Sequence, residues 1–500
     1  ALLTWLAMTA FTLCPSSAVK AQSAEGSIYG EAKPGTTVVV SSKATGIVRR
    51  VTVDSSGTYV VSRLQPGTYS VSVGSASSNV SVSMGVGTHV GPAAADLEEV
   101  NVVANRIGAI DFSSTESNFS FSQDEIQALP VALDVRSIAL LAPTVVKGDW
   151  GLGGGGLPSI GGSSVAENAY YINGFDVTNL RNFLSYANLP FEAVAQEEVK
   201  AGGYGAEYGR SLGGVISLVT KRGTNDWHGG WTLAAEPNAF ASKGQNILDR
   251  QPEYQGNYFM FGRANTFENT SATAYLGGPI LKDRLFFFAL ANLPNRVSDN
   301  YGQTQSTRYL SQSPSGLLNI DWNIDEHNTL EATGIYNKAR TDLVDWSNTS
   351  PYSTHHDGTG GHSWYYSGGT VFIGKYTGSW DKLTISALGG QVKDLRGSIQ
   401  GQRALGQDCP VVLDVGLNPI GCWIPPYPSA GSRDPLAPPD SDTRRAWRFD
   451  VEYKLASHLL RAGFDAPAIC PLALIERALL RIQPLLAGSM ELSCTSLPPA

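Results

Sequence analysis

The segment WRFDVEYKL, residues 447–455, constrains this chain more than any other stretch. Trp447, Phe449, Val451, Tyr453 and Leu455 fall on one side of an extended strand, and Arg448, Asp450, Glu452 and Lys454 on the other. Successive side chains of a strand point to opposite faces, so one face here is wholly apolar and the other wholly charged. Such a strand suits a wall with hydrocarbon on one side and a wet interior on the other. A soluble sandwich also accommodates it, with the apolar face turned to a core. The segments TLEATGIYNK (329–338) and LTISALGGQ (383–391) alternate in the same way, more loosely. Polar connections at 343–367 and 394–445 read as loops far longer than hairpin turns. Short turns at one end and long loops at the other are the habit of outer-membrane barrels.

Composition agrees with β structure. Charged residues make up 16% of the chain and glycine accounts for 54 positions, a profile that favours turn-rich strands over helices. The net charge of −8 comes without a basic stripe, which argues against nucleic acid as a partner. No apolar run approaches the roughly 18 residues of a spanning helix, so a membrane role must use strands or a surface contact. Residues 1–21 read as a secretory signal lacking its start, with small residues near Val19 and Ala21 as a cleavage site. Leu13 stands before Cys14 where a lipoprotein site wants a small residue, which weakens that reading. After export, Cys409 and Cys422 can close the loop between them as a disulfide, or remain two thiols.

Residues 24–83 alternate small or polar residues with Val and Tyr, broken by turns at Ser56-Gly57 and Pro66-Gly67. This is a small antiparallel sandwich. It resembles the carboxypeptidase-regulatory-like domain, grouped with carbohydrate-binding-like folds, and that resemblance implies no catalytic residues. Residues 84–106 form a linker whose end, DLEEVNVVANR (96–106), is an acidic lead followed by Val-rich extended sequence. It can add to the edge of a partner sheet, or serve as the first strand of the next domain. Between 107 and 223 a short helical stretch, Gln123 to Leu129, mixes with strands, and Asn173-Gly174 marks a type I′ hairpin.

Several letter patterns invite chemistry and fail on context. Gly209, Ser211 and Gly213 spell a hydrolase elbow, but VISLVT follows where a helix must stand. Gly151, Gly153 and Gly156 match a dinucleotide loop, yet Pro158 comes where the helix should begin. GTVFIGKY (369–376) nearly spells a phosphate loop, with Tyr376 in the place of the metal-binding hydroxyl. His355, His356, Asp357 and His362 could bind a metal, but read better as a solvated loop. No catalytic, cofactor or metal residues are assigned. The glycines of 202–214 fit a different need: letting backbone pass through a narrow space.

VKAGGYGAEYGRSLGGVISLVTKRGTNDWHG (199–229) resembles the end of the plug domain of TonB-dependent outer-membrane receptors, in particular the Oar-like branch. YYINGFDVTN (170–179) resembles the plug hairpin, and LGGPILKDRLFFFALAN (276–292) an early barrel hairpin of the same branch. The resemblance implies a mainly β chain: a small β-sandwich, an α+β plug domain at 107–223, then an antiparallel transmembrane β-barrel over 224–465. It places Asp96, Leu97, Glu98, Glu99, Val100, Asn101, Val102 and Val103 at the contact with TonB. Glu207 and Arg210 become candidates for ion pairs between plug and wall, and solvated turn residues are the alternative. The implied function is energised uptake of a scarce extracellular ligand, such as a siderophore or oligosaccharide, across outer-membrane lipid. The other reading is a secreted carbohydrate-binding protein or adhesin, resting on the sandwich. Barrels of the family have about 22 strands, whereas 224–465 has room for roughly ten, so the barrel is expected to be incomplete and inactive in transport. Residues 466–500 carry a helical rather than a strand period and read as an atypical tail, either out of frame or part of a broken end, with a genuine amphipathic C-terminal helix as the alternative.

Overall fold

The computed structural model describes residues 24–91 and 117–471, apart from 129–134, 150, 153–155, 181–182, 185–188, 205–207, 209–210, 249–257, 350, 400–410, 414–418, 423–439 and 456–457. The signal segment expected at 1–21 lies outside the described residues.

Residues 26–90 form two facing sheets. One has the order Thr58–Leu64, Gly26–Glu31, Gly87–Val90, and the other Val48–Thr52, Thr37–Ser41, Gly67–Val73, Ala76–Val82. Ile28, Val38, Val40, Tyr59, Val71 and Val82 are buried between them. The sandwich does not stop at 83. Gly87–Val90 pairs in parallel with Gly26–Glu31, so residues assigned to the linker complete the fold. Glycine and small residues hide this strand from a side-chain pattern, because what places it is the free backbone edge beside it.

The next unit is a five-stranded mixed sheet ordered Phe175–Asp176, Ala169–Ile172, Val215–Thr220, Val194–Gly202, Ser117–Ser122. The helix Gln123–Ala128 falls where expected. Asn173 and Gly174 take φ of 49° and 83°, the left-handed pair that a type I′ turn needs. Val215–Thr220 is buried at every position, as a central strand covered on both faces must be.

The third sheet holds twelve strands. Three of its passes are each broken into two strands: Gln305–Gln312 with Ser315–Asn323, Asn328–Tyr336 with Ala339–Ser347, and Thr359–Ser367 with Gly369–Trp380, so the described residues make nine passes. All pairings within it are antiparallel. Among the described residues His228–Glu236 and His458–Pro471 each pair on one side only, leaving the wall open.

The wall is turned inside out relative to a soluble protein. In WRFDVEYKL, Trp447 is 70% exposed while Glu452 is 3% exposed. Asn328–Tyr336 repeats the arrangement, with Thr329, Glu331 and Thr333 buried and Leu330 and Tyr336 outside. Water would drive the reverse choice, so the outer face is built for hydrocarbon.

Two expectations need correction. Described parts of 343–367 and 394–445 are strand: Ala339–Ser347, Thr359–Ser367, Leu383–Ile399 and Asp440–Leu455 all reach into those ranges. Leu383–Ile399 has 17 residues, whereas about 9–11 suffice to cross hydrocarbon. Beyond the lipid both faces of a strand are wet, so alternation fades although the backbone ladder continues. Likewise, the strand His458–Pro471 runs past the boundary at 465, with Pro471 opposite Asp442. Its partner strand supplies the register regardless of side-chain period. Residues 472–500 lie outside the described residues.

The plug and wall share one core. Ile172, Phe175, Val199 and Ile216 of the plug cluster with Phe288, Leu317, Ile335 and Val371 of the wall. The sheet therefore curves around the plug as its lining.

Candidate functional site

Asp321, Glu331 and Lys375 lie side by side on three neighbouring strands, Asp321 opposite Glu331 and Glu331 opposite Lys375. All three are buried on the inner face. Two carboxylates directly opposite each other repel, and burial makes their repulsion stronger. The plug resolves this conflict. Its last residues carry Arg222, whose Nη1 donates to Asp321 Oδ1 at 2.5 Å and whose Nη2 lies 2.6 Å from Glu331 Oε2. Lys375 Nζ stands 4.0 Å from Glu331 Oε1 and also pairs with Glu25 of the sandwich. Burial by itself would lower the Arg222 guanidinium, but Asp321 and Glu331 outweigh it and push it well above its ordinary value. Arg222 therefore stays charged at any pH the fold survives.

Neutral contacts bracket this row. Asn319 Nδ2 donates to Thr220 Oγ1 at 2.7 Å and to the Lys221 carbonyl at 2.6 Å. Asn173 Nδ2 reaches Thr220 Oγ1 at 2.8 Å and Thr333 Oγ1 of the wall at 3.0 Å. On the hairpin side, Arg444 Nη1 is 2.7 Å from Asp176 Oδ1. Gly223 passes so close to the wall that a Cβ would overlap the Phe287 backbone. The plug is thus fastened where its chain enters the wall. We expect Asn173→Ala to loosen the plug by about 1–3 kcal/mol, through its lost turn and wall bonds. Urea unfolding of the extracted protein checks this.

Within the plug, Glu198 and Lys200 form a fully buried pair at 2.9 Å, and the ammonium lies 5.4 Å from the centre of the Tyr208 ring. Ser211 Oγ donates to the Gly214 carbonyl at 2.9 Å and sits 3.1 Å from the Tyr204 hydroxyl. The strand Val215–Thr220, not a helix, follows it. At Gly214 a side chain would run into Ile160. These glycines serve close packing.

The histidine loop does not converge. His356 stacks on Trp346 at 4.0 Å with Nε2 3.0 Å from Asp299 Oδ1, whereas His362 packs on Trp364. Among the described residues no group of three or more His, Cys, Asp or Glu is placed to hold a metal ion.

Glu207 and Arg210, the segment Asp96–Val103, and Cys409 lie outside the described residues, while Cys422 ends the short strand Pro419–Cys422. Arg222, Asp321, Glu331 and Lys375 were not singled out in the sequence. The available signal was single charges at inward-facing positions among Thr and Asn, as Glu331 is in TLEATGIYNK.

Residues 111–215 match the family model described as TonB-dependent Receptor Plug Domain. The TonB-dependent transporter Oar of Myxococcus xanthus is 28% identical over 321 residues, covering 60% of this chain and 28% of that protein. The chain thus spans under a third of that relative's length. Among solved structures, a variant of the ferric enterobactin receptor PfeA of Pseudomonas aeruginosa, in complex with enterobactin, aligns at TM-score 0.42. The two are 16% identical over 71% of this chain and 49% of that one. The outer membrane transporter YddB of Escherichia coli aligns at TM-score 0.43 and 14% identity, over 70% of this chain and 56% of that one. The chain thus contains a plug domain of the kind carried by TonB-dependent receptors and is similar over part of its length to the transporter Oar.

Proposed function

We propose that this chain is part of an energised uptake receptor of the Gram-negative outer membrane. The observation that supports it most is the Arg222–Asp321–Glu331 row, which fastens a plug into a wall with an apolar exterior. A fastening made of charges is firm while intact, yet each charge has water as an alternative partner once the row is disturbed. That suits a plug that must hold at rest and yield under force.

In this reading the segment Asp96–Val103 is the handle, and TonB the partner that pulls it. The ligand enters from the long-loop side, and a siderophore or an oligosaccharide fits the role. Cysteines placed singly at Val100 and Val102 are expected to cross-link to the periplasmic domain of TonB in outer-membrane preparations. Val102→Pro should reduce the Val100 cross-link by about tenfold or more, because proline cannot add a strand. Absence of any cross-link along 96–103 would remove the handle from this reading.

A further inference from the structure

We propose that the N-terminal sandwich is a second closure: it docks in the short-turn mouth of the wall, pinned by Arg63, and must leave before the plug can yield. This rests on the reading of the third sheet as a membrane wall, and it adds a gate that the plug alone does not supply.

Among the described residues three short turns lie at one end of the wall, and the sandwich meets each of these three. Beside the turn at 282–284, Asn225 donates through its backbone N–H to the Ala44 carbonyl at 2.6 Å and through Nδ2 to the Lys43 carbonyl at 3.0 Å. At the turn 324–327, Arg49 bonds the Glu326 carbonyl and Arg50 its carboxylate. At the turn 381–382, the Thr52 N–H donates to Asp381 Oδ1 at 2.8 Å. Short turns face the periplasm in outer-membrane barrels, so this is the end through which cargo would leave.

The pin goes deeper. Arg63 is the one buried residue of the strand Thr58–Leu64 with positive φ, at 58°. A non-glycine residue in that region is strained, and persists only where its surroundings insist on it. Here the strained backbone turns the guanidinium into the wall. Its Nε lies 2.8 Å from Glu452 Oε1, Nη2 lies 3.4 Å from Asp450 Oδ2, and Nη1 lies 3.6 Å from Glu25 Oε2. Glu25 in turn meets Lys375, so the sandwich joins the same charge row that holds Arg222.

The sandwich also covers the plug. Met84, fully buried, donates its N–H to Gln196 Oε1 at 3.0 Å and clusters with Ala24 and Val219. Gly85 lies directly against the Glu198 carboxylate. The plug's central strands therefore carry a lid on their periplasmic side. A plug moving that way meets the sandwich first.

The test is hydrogen exchange on the full chain, extracted in detergent, comparing wild type with Arg63→Gln and Glu452→Gln. Both variants should exchange about tenfold or more faster at 282–284, 324–327 and 381–382, and along Val194–Gly202, because a broken buried pair opens whatever it closed. The sandwich core strand Thr37–Ser41 should keep its protection. Unchanged exchange at the turns in both variants would overturn the pin. Equal loss of protection in Thr37–Ser41 would make Arg63 a folding residue and overturn it too; Glu452→Gln, which alters only the wall, guards against a misfolded sandwich. In the wild type the turns should open no later than Val194–Gly202, and a plug strand that opens first would overturn the order. A failure of the wall reading shows separately, as an indifferent outer face, and leaves these rates untouched.

Discussion

Arg222→Ala is expected to free the plug. The substitution leaves Asp321 and Glu331 opposite each other, buried, with Lys375 on one side only. Removing one partner of a buried ionic cluster costs about 3–5 kcal/mol, much of it from the charges left behind. Urea unfolding followed by protease access to the plug should show the loss. Adding Asp321→Asn and Glu331→Gln to Arg222→Met should restore most of it, since a neutral row has no orphaned charge to solvate. If Arg222→Ala were neutral, the row would be decoration and the fastening would lie in the shared apolar core.

Phe372→Arg should be the second large effect. Phe372 is 60% exposed on the outer face, in mid-strand between residues facing inward. In lipid an arginine near the midplane costs about 2–4 kcal/mol. On a water-soluble sandwich the same exposed change would stay within about 0.5 kcal/mol. Phe240, 89% exposed in the short turn Asn238–Phe240 beyond the wall strand His228–Glu236, is the control, and Phe240→Arg should be near neutral. Unfolding of the protein reconstituted in phospholipid vesicles separates the cases. Equal, small effects at both positions would favour the secreted adhesin over the receptor.

Much of this molecule is legible one strand at a time. The parity of WRFDVEYKL assigns its two faces, and Asn173-Gly174 announces its turn, because both depend only on neighbours along the chain. The plug is legible for a related reason: its glycine-dense end is a local solution to backbone passing close to backbone. The strand Gly87–Val90 and the upper halves of the wall strands are not legible, since the ladder that holds them belongs to a distant partner.

The charged site divides along the same line. That Glu331 faces inward follows from alternation, and so does the inward aim of Glu452. That Glu331 stands between Asp321 and Lys375 depends on registers among three strands, and one residue of slip would turn the set to the lipid. That Arg222 and Arg63 reach them depends on the packing of plug and sandwich against the wall. Sequence by itself determined which side of each strand is wet, because side-chain direction is a property of the local backbone. Only the tertiary structure decided which charges meet, because a buried ion pair exists where two separately folded surfaces come within bonding distance.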